Sequence, residues 1–406
     1  MTLADVALAD EFPILSREGL VYLDSAATSQ KPRVVLAAIE DLLAHHNANV
    51  HRGVYPLAAE ADERYESARR RIAALTGSTP IETIITKNAT EAINLVAYSW
   101  GRSSVGAGDA IVLTQAEHHS NVIPWFLLRD AVGAELRWLE IDDRGAISLE
   151  QLDEHLADGR VKLVTVAHVS NVLGTIFPVE EIVARARAAG ATTLVDGSQA
   201  VPQLPVDVAR IGADFYAWTG HKVYGPTGVG VLHGRRELLE AMPPFLGGGD
   251  MISSVSFEGA TWNDLPLKFE AGTPPIAEMV GLGAAVDFVS GIGLERIREH
   301  ELGLTAYALE RMREVPGLQV HGPPTAADRG ALVSFSLDGA HPHDVAEIVA
   351  RDGVCIRAGH HCAQPLMRRL GVGATSRASL AIHNTSEDID RLVEALGRVR
   401  EVLRLD

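Results

Sequence analysis

The chain has 406 residues, 47% of them apolar and 22% charged, which is ordinary for a globular enzyme and long enough for two domains. Its 36 basic and 53 acidic residues give a formal charge of −17, which disfavours a nucleic-acid or anionic-membrane partner. No membrane-spanning run or N-terminal signal pattern stands out, and the two cysteines, Cys355 and Cys362, do not form a secreted disulfide framework. We therefore expect a cytoplasmic protein.

Residues 1–20 predict a lead-in helix and connector that packs on the smaller domain. The pattern then alternates between short apolar runs and helix-length segments, which predicts a mostly parallel sheet covered on both faces. The predicted strands are 21–28, 83–86, 110–113, 135–140, 161–166, 192–195 and 213–218, and the predicted helices are 32–46, 58–75, 91–100, 121–131, 152–156 and 179–188.

The pattern changes after residue 250 and predicts a smaller α+β domain. The predicted helices there are 276–315, 345–350 and 386–403, and the predicted strands are 318–321, 332–337, 354–357 and 377–382. We therefore predict three parts: a lead-in (1–20), a large domain (21–265) and a small C-terminal domain (266–406).

Lys222 and Asp196 each follow a predicted strand, where side chains enter the ligand crevice of an open α/β sheet. The Lys222 amine could form a Schiff base with a carbonyl cofactor, although an exposed loop lysine between turn glycines fits equally. Asp196 could keep a cofactor's ring nitrogen protonated, or it could cap the helix that follows.

His118 and His119 follow the predicted strand 110–113 and could stack on a ring, move protons or bind metal. Metal is the weakest option, because the short-range ligand spacing of a zinc site is missing. Thr90 begins a predicted helix, where a hydroxyl and free backbone N–H groups suit a phosphate, though threonine is also a routine cap.

Cys362 lies in a polar loop beside His360 and His361, downstream of Arg357, and such neighbours favour the nucleophilic thiolate. Cys355 lies inside an apolar run, which predicts a small side chain packed among apolar residues. Arg377 enters an otherwise apolar strand, which indicates capture of a carboxylate or, alternatively, a structural salt bridge.

Ten motifs occur in a fixed order: Leu23-Asp-Ser-Ala-Ala27, Asn49-Val-His-Arg-Gly53, Thr90-Glu91, Glu117-His-His119, Val169-Ser-Asn-Val-Leu-Gly-Thr175, Asp196-Gly-Ser-Gln199, Gly220-His-Lys-Val-Tyr-Gly-Pro-Thr-Gly228, Phe269-Glu-Ala-Gly-Thr273, Arg357-Ala-Gly-His-His-Cys362 and Arg377-Ala-Ser379. Together they resemble the fold-type I pyridoxal-phosphate enzymes of the class V aminotransferase group, and among these the SufS-type (group II) cysteine desulfurases. The resemblance implies a large domain with a mostly parallel seven-stranded sheet, pyridoxal 5'-phosphate as cofactor, and a homodimer.

The resemblance also implies a role for each matching residue. Lys222 would carry the cofactor and move the substrate's α-proton, and Cys362 would take the sulfur of L-cysteine as a persulfide, leaving alanine. The other implied contacts are Asp196 to the ring nitrogen, His118 stacked on the ring, Gln199 to the phenolic oxygen, Thr90, Ser198 and His221 to the phosphate, Thr273 to the phosphate of the other subunit, Asn171 and Arg377 to the substrate carboxylate, and Arg357 near the thiol.

Group II resemblance rests on the Gly359-His-His-Cys362 context and on the short span from Cys362 to Arg377. It implies an acceptor protein of the SufE or SufU kind and a role in iron–sulfur cluster assembly. His383 and Ala89 depart from residues common in relatives, at positions that concern the phosphate and loop contacts.

Two rival interpretations stay open. One is a selenocysteine lyase or another class V enzyme, although an aminotransferase or epimerase needs no thiol. The other is a metal or structural scaffold that uses His360, His361 and Cys362 with His118 or His119, which leaves Lys222 and Asp196 without a role.

Overall fold

A computed structural model of the chain describes residues 8–405. Residues 1–7 of the predicted lead-in lie outside the described part, and the rest of it forms two 3-10 turns, Leu8–Glu11 and Pro13–Ser16. The α-helices are α1 (Arg33–His45), α2 (Pro56–Leu75), α3 (Ala89–Val96), α4 (Arg102–Ser104), α5 (Ile123–Val132), α6 (Leu149–Leu156), α7 (Val179–Ala188), α8 (Val208–Ile211), α9 (Arg236–Ala241), α10 (Ile276–Ile292), α11 (Leu294–Arg313), α12 (Pro342–Ala350), α13 (Gln364–Arg369) and α14 (Ser386–Leu403). The strands are β1 (Val21–Tyr22), β2 (Thr83–Thr86), β3 (Ala110–Thr114), β4 (Glu135–Leu139), β5 (Val161–Ala167), β6 (Thr192–Asp196), β7 (Phe215–Thr219), β8 (Gly230–Gly234), β9 (Ile252–Val255), β10 (Ala260–Trp262), β11 (Leu318–His321), β12 (Leu332–Leu337), β13 (Val354–Cys355), β14 (Arg357–Gly359) and β15 (Thr375–Ser379).

The main sheet has seven strands in the order β2-β8-β7-β6-β5-β3-β4. Only β8 runs antiparallel to its neighbours, so the predicted mostly parallel sheet is confirmed. Alternate residues of β3 enter different apolar clusters, Ala110 and Val112 on one face and Ile111 and Leu113 on the other. Helices therefore cover both faces, as continuous apolar strands predict.

A second, four-stranded antiparallel sheet has the order β11-β12-β15-β14. Val333 and Phe335 of β12 pack with Leu304 of α11 and Leu396 of α14 in a separate buried cluster. In this sheet Arg357 of β14 lies directly opposite Arg377 of β15, which brings two predicted site residues side by side.

Several contacts cross the predicted boundary at residue 265. Strand β1 pairs with β13, and α10 packs on α1 and α2 through Met279 and Val286 in the main core. Phe12 of the lead-in contacts the rings of Tyr224, Phe288 and His383. The division into three parts therefore stays a prediction from the sequence.

Several elements differ from the sequence predictions. Strand β8 and the hairpin of β9 and β10 were not predicted, and the run 354–357 divides into β13 and β14. The predicted helix 276–315 breaks at Gly293, whose φ of 95° ends α10 before α11 begins. Within residues 8–405, no single helix has the length and apolar character to cross a membrane; α10 and α11 reach them only as a pair that is bent by 75°.

Candidate active site

A cavity of about 180 Å³ opens at the carboxyl ends of the parallel strands, where an open α/β sheet binds ligands. Its lining includes ten of the twelve predicted site residues: Thr90, His118, Asn171, Asp196, Ser198, Gln199, His221, Lys222, Arg357 and Arg377. Thr273 lies elsewhere, in a depression of about 340 Å³ together with Lys87 and Glu278. Cys362 lies beside the cavity, next to Arg357.

The backbone before Lys222 is held by an unusual number of donors. Lys222 ends a short 3-10 turn after β7, and the carbonyl oxygen of the preceding His221 accepts four hydrogen bonds. They come from the Ser29 N–H at 3.0 Å and from the side chains of Ser29, Thr28 and Lys31 at 3.0, 3.2 and 3.1 Å. The loop after β1 thereby fixes the peptide that carries the lysine.

Burial lowers the pKa of Lys222 from 10.5 to about 8, although the nearby Asp196 carboxylate raises it. The cations Arg377 and Arg357 lower this pKa further. The neutral amine is the nucleophilic form. Because the cavity lowers the pKa of Lys222 towards neutral pH, a larger fraction of the lysine is neutral there. This favours a functional lysine over the exposed-loop interpretation.

Asp196 is the last residue of β6 and is buried. Its Oδ1 accepts the Ser198 N–H at 2.9 Å, the one hydrogen bond to this carboxylate among residues 8–405. Gln199 donates from Nε2 to the Ala26 carbonyl at 2.9 Å. Asp196 therefore caps a turn, whereas the capping alternative expected a helix, and its side chain also lines the cavity.

His118 follows β3, and its Nδ1 lies 2.7 Å from Ser120 Oγ and accepts the Ser120 N–H at 3.1 Å. Because Nδ1 is an acceptor, the neutral ring carries its proton on Nε2. Burial, followed by the charges of Lys222 and other cations, lowers the pKa of His118 to about 3. The His118 ring is therefore uncharged where it lines the cavity.

The start of α3 supplies donors for an anion. Thr90 lies in its first turn, and the Asn88 side chain caps the helix by accepting the Glu91 N–H at 3.0 Å. Gly230 of β8 makes this approach possible, because a Cβ there would lie 2.4 Å from Asn88 Cα. Thr219, which the sequence analysis missed, lines the same cavity with a buried hydroxyl that has no partner among the described residues.

Arg377 is fully buried, with its guanidinium at the cavity. It donates from Nη1 to the Asn171 carbonyl at 2.8 Å and from Nη2 to Asp24 at 3.0 Å, and its buried Nε has no partner in residues 8–405. Burial lowers its pKa to about 10, and Asp24 opposes the shift. The salt-bridge alternative holds in part, yet the arginine keeps capacity for a further acceptor.

Cys362 lies in the cysteine loop, residues 360–363, between β14 and α13. Its Sγ accepts a hydrogen bond from Arg357 Nη2 at 3.8 Å. His361 and Cys362 both have left-handed backbone, with φ of 50° and 57°. That region costs an L-residue roughly 1–2 kcal/mol, so surrounding contacts must hold the loop.

The two histidines of the cysteine loop have different environments. The buried His361 binds the Thr375 carbonyl and hydroxyl through Nε2, both at 3.0 Å, while ligand atoms of His119, His360 and Cys362 lie within 4.8 Å of one another. However, His119 and His360 each use an unprotonated ring nitrogen to accept a backbone N–H. A metal-binding histidine normally gives that lone pair to the ion and donates its other N–H, so the arrangement favours hydrogen bonding.

Comparison with known proteins agrees with this geometry. Residues 21–392 match the family described as aminotransferase class-V. The chain belongs to the class V aminotransferase family. A probable cysteine desulfurase of Streptomyces coelicolor is 50% identical to this chain over 404 residues. The match covers 97% of this chain and 96% of the Streptomyces protein. A cysteine desulfurase of Haloferax volcanii is 47% identical over 414 residues, with 98% and 97% covered.

Solved structures share the fold of this class V aminotransferase. The apo cysteine desulfurase of Thermococcus onnurineus superimposes with a TM-score of 0.93 at 37% identity, covering 98% of this chain and 97% of that one. The cysteine desulfurase CsdA of Escherichia coli gives a TM-score of 0.92 at 36% identity, with 99% of both chains covered. The predicted fold and the predicted kinship with cysteine desulfurases are confirmed.

Proposed function

We propose that the protein is a pyridoxal-phosphate-dependent cysteine desulfurase that moves the sulfur of L-cysteine to Cys362 and releases alanine. The observation that carries the proposal is a thiol bound to Arg357, beside a cavity that holds Lys222 of lowered pKa and the buried Arg377. An aminotransferase would need the lysine and the arginine but no thiol.

The residues present fit the cofactor. The free hydroxyl of Thr219, Thr90 at the start of α3, Ser198 and His221 suit a phosphate, as a helix N-terminus does in general. Asp196 would face the ring nitrogen, His118 would stack on the ring, and Gln199 would meet the phenolic oxygen. Bound pyridoxal phosphate would act as an electron sink that makes the substrate's α-proton removable.

The chain's own groups bind and orient the substrate. Arg377 and Asn171 would take the α-carboxylate of L-cysteine. Among residues 8–405, the buried Nε of Arg377 has no partner, and the Asn171 side chain donates only to the His361 carbonyl, at 2.7 Å. Lys222, neutral above a pKa of about 8, would accept the α-proton and later return a proton.

Sulfur transfer balances without an added oxidant or reductant. The Cys362 thiolate attacks the substrate sulfur, an S–S bond forms, and the C–S bond breaks with its electron pair kept on the β-carbon. That carbon takes up a proton and leaves as the methyl group of alanine. Arg357 would hold the thiolate during the attack.

The finer assignments belong to the same proposal. We assign the chain to group II because only 14 residues separate Cys362 from Arg377, and α13 and β15 take up most of them. A short loop keeps the persulfide close to the cavity, so an acceptor of the SufE or SufU kind would collect it for iron–sulfur cluster assembly. A depression of about 550 Å³, lined by His341, His343 and His360 among others, adjoins this loop and would receive the acceptor. The free cysteines suit the cytoplasm.

The test is alanine and sulfide release from L-cysteine by wild type, Cys362→Ala and the matched control Cys355→Ser. We expect Cys362→Ala to lose release while keeping the cofactor's absorbance, and Cys355→Ser to retain both. Unchanged release by Cys362→Ala would reject the desulfurase assignment. Relative turnover of selenocysteine and cysteine decides between this function and the alternative, a selenocysteine lyase.

A further inference from the structure

Three residues from other parts of the chain bind the cysteine loop: Asn171 and Thr375 bind His361, and His119 binds the backbone that follows it. The His119 N–H donates to the Cys362 carbonyl at 2.7 Å, and His119 Nε2 accepts the Gln364 N–H at 3.0 Å. His119 therefore binds the carbonyl of the thiol-bearing residue and the N–H two residues further on, so its two bonds flank Ala363.

These bonds hold a backbone that would otherwise relax. His361 and Cys362 are both left-handed, a conformation that persists in L-residues only where neighbours impose it. His360 adds one local contact, since its Nδ1 accepts the Cys362 N–H at 3.1 Å. The ring centroids of His360 and His119 lie 5.5 Å apart, so the two histidines that accept backbone N–H groups of this segment are neighbours.

His119 also joins the loop to the cavity. Its neighbour His118 lines the cavity, whereas His119 itself does not. The buried Glu117 holds this segment to the sheet by accepting hydrogen bonds from Thr114 Oγ1 at 2.6 Å and the Ala167 N–H at 3.0 Å. The segment Glu117–His119 therefore links the sheet, the cavity wall and the cysteine loop.

We propose that His119 is a positioning residue that sets the Cys362 thiol against the cavity through its backbone N–H and its ring Nε2. The inference rests on the proposed function, in which Cys362 is the nucleophile. It assigns His119 no contact with substrate or cofactor; the residue acts through the backbone of the cysteine loop.

The experiment compares His119→Leu, which removes the ring acceptor, with His119→Gln, whose amide oxygen can accept at the position of Nε2. His45→Leu, at an exposed histidine of α1, is the matched control. Two quantities are measured on cofactor-loaded protein: alanine production, and the rates at which iodoacetamide modifies Cys362 and Cys355, read separately by peptide mass. Cys355, half-buried in β13, reports general loosening.

We expect His119→Leu to lower alanine production about 10²-fold, the effect of misplacing a reacting group by an ångström. Its Cys362 should be alkylated up to about tenfold faster, the change expected when a locally opening segment loses a hydrogen bond. Cys355 and the cofactor absorbance should stay as in wild type, and His119→Gln and His45→Leu should resemble wild type.

Equal behaviour of His119→Leu and His119→Gln would overturn the role of the ring acceptor. Faster alkylation of Cys355 in parallel, or lower turnover without faster Cys362 alkylation, would also reject the proposal. Alkylation does not depend on desulfuration, so a failure of the proposed function, seen with Cys362→Ala, is distinguishable from a failure of this inference.

Discussion

Burial is the main cause of the lowered pKa of Lys222. Its ammonium loses hydration in the cavity, and Arg377 and Arg357 repel it, while Asp196 and, more weakly, Cys362 favour its charge. The balance leaves a pKa of about 8, so the neutral amine predominates above that pH and the ammonium below it.

We predict that the amine of Lys222 in cofactor-free protein becomes reactive with a midpoint near pH 8. The measurement is competitive labelling with acetic anhydride across pH, read by peptide mass, with the half-exposed Lys162 as reference. Because Asp196 raises the pKa of Lys222, Asp196→Ala should move the midpoint to lower pH. Coincident midpoints for Lys222 and Lys162 would contradict the prediction.

At the scale of elements, the junction of β8 and α3 shapes the end of the cavity where we propose that the cofactor phosphate binds. Gly230 has no side chain, so the backbone of Asn88 approaches it closely and α3 begins over the sheet. A Cβ at this position meets backbone atoms, which cannot rotate away as a side chain can.

Gly230→Ala should therefore displace the start of α3 and weaken the binding of pyridoxal phosphate by about tenfold or more, with an overpacking cost of about 1–3 kcal/mol. Both are measurable, by absorbance titration of cofactor-free protein and by urea unfolding. The control is Gly303→Ala in α11, where an added Cβ meets nothing within 4 Å. It should stabilise the protein by about 0.5–1 kcal/mol and leave cofactor affinity unchanged. Equal cofactor affinity in the two variants would refute the argument.

Sequence patterns predicted the elements whose own residues determine them. Strand β6 and helix α7 were located to within a residue, because apolar runs and helical spacing are local signals. Strand β8 was missed because it begins at Gly230 within a glycine-rich loop, and the hairpin of β9 and β10 because its residues are mostly exposed. Neither sequence shows the alternation of apolar and polar residues, or the continuous apolar run, from which a strand is predicted.

The candidate site could also be predicted as far as local sequence patterns reach, and no further. Lys222, Asp196 and His118 stand at strand ends, which the local pattern reveals. Asp24, which pairs with Arg377, and the acceptor role of His119 towards Gln364 depend on contacts between segments hundreds of residues apart. No local pattern encodes such a contact.

Across the whole molecule, the cavity draws its lining from Ala26 to Arg377. Nearly the full chain must fold before the site exists. Thr273 does not join this lining and is exposed in a separate depression, which is consistent with the proposed homodimer, in which it would serve the neighbouring subunit.

That proposal predicts complementation between two inactive variants. Thr273→Asp places a negative charge beside the partner's phosphate, and Lys222→Ala removes the amine of its own site. Mixed dimers contain one site with both residues intact, so unfolding and refolding the variants together should restore about one quarter of wild-type activity. Each variant refolded alone is the control. No recovery from mixtures shown to contain mixed dimers would place Thr273 outside the partner's site.

The four donors that hold the His221 carbonyl have a consequence for the timing of the reaction. Because they fix the peptide before Lys222, the amine changes position by rotation about the bonds of its own side chain. Side-chain rotation is a far faster class of motion than loop or domain rearrangement. In the proposed reaction, Lys222 would thus give way to an incoming substrate and return without a rearrangement of the fold. We therefore expect the slow steps of a turnover to lie in the proposed passage of sulfur through Cys362.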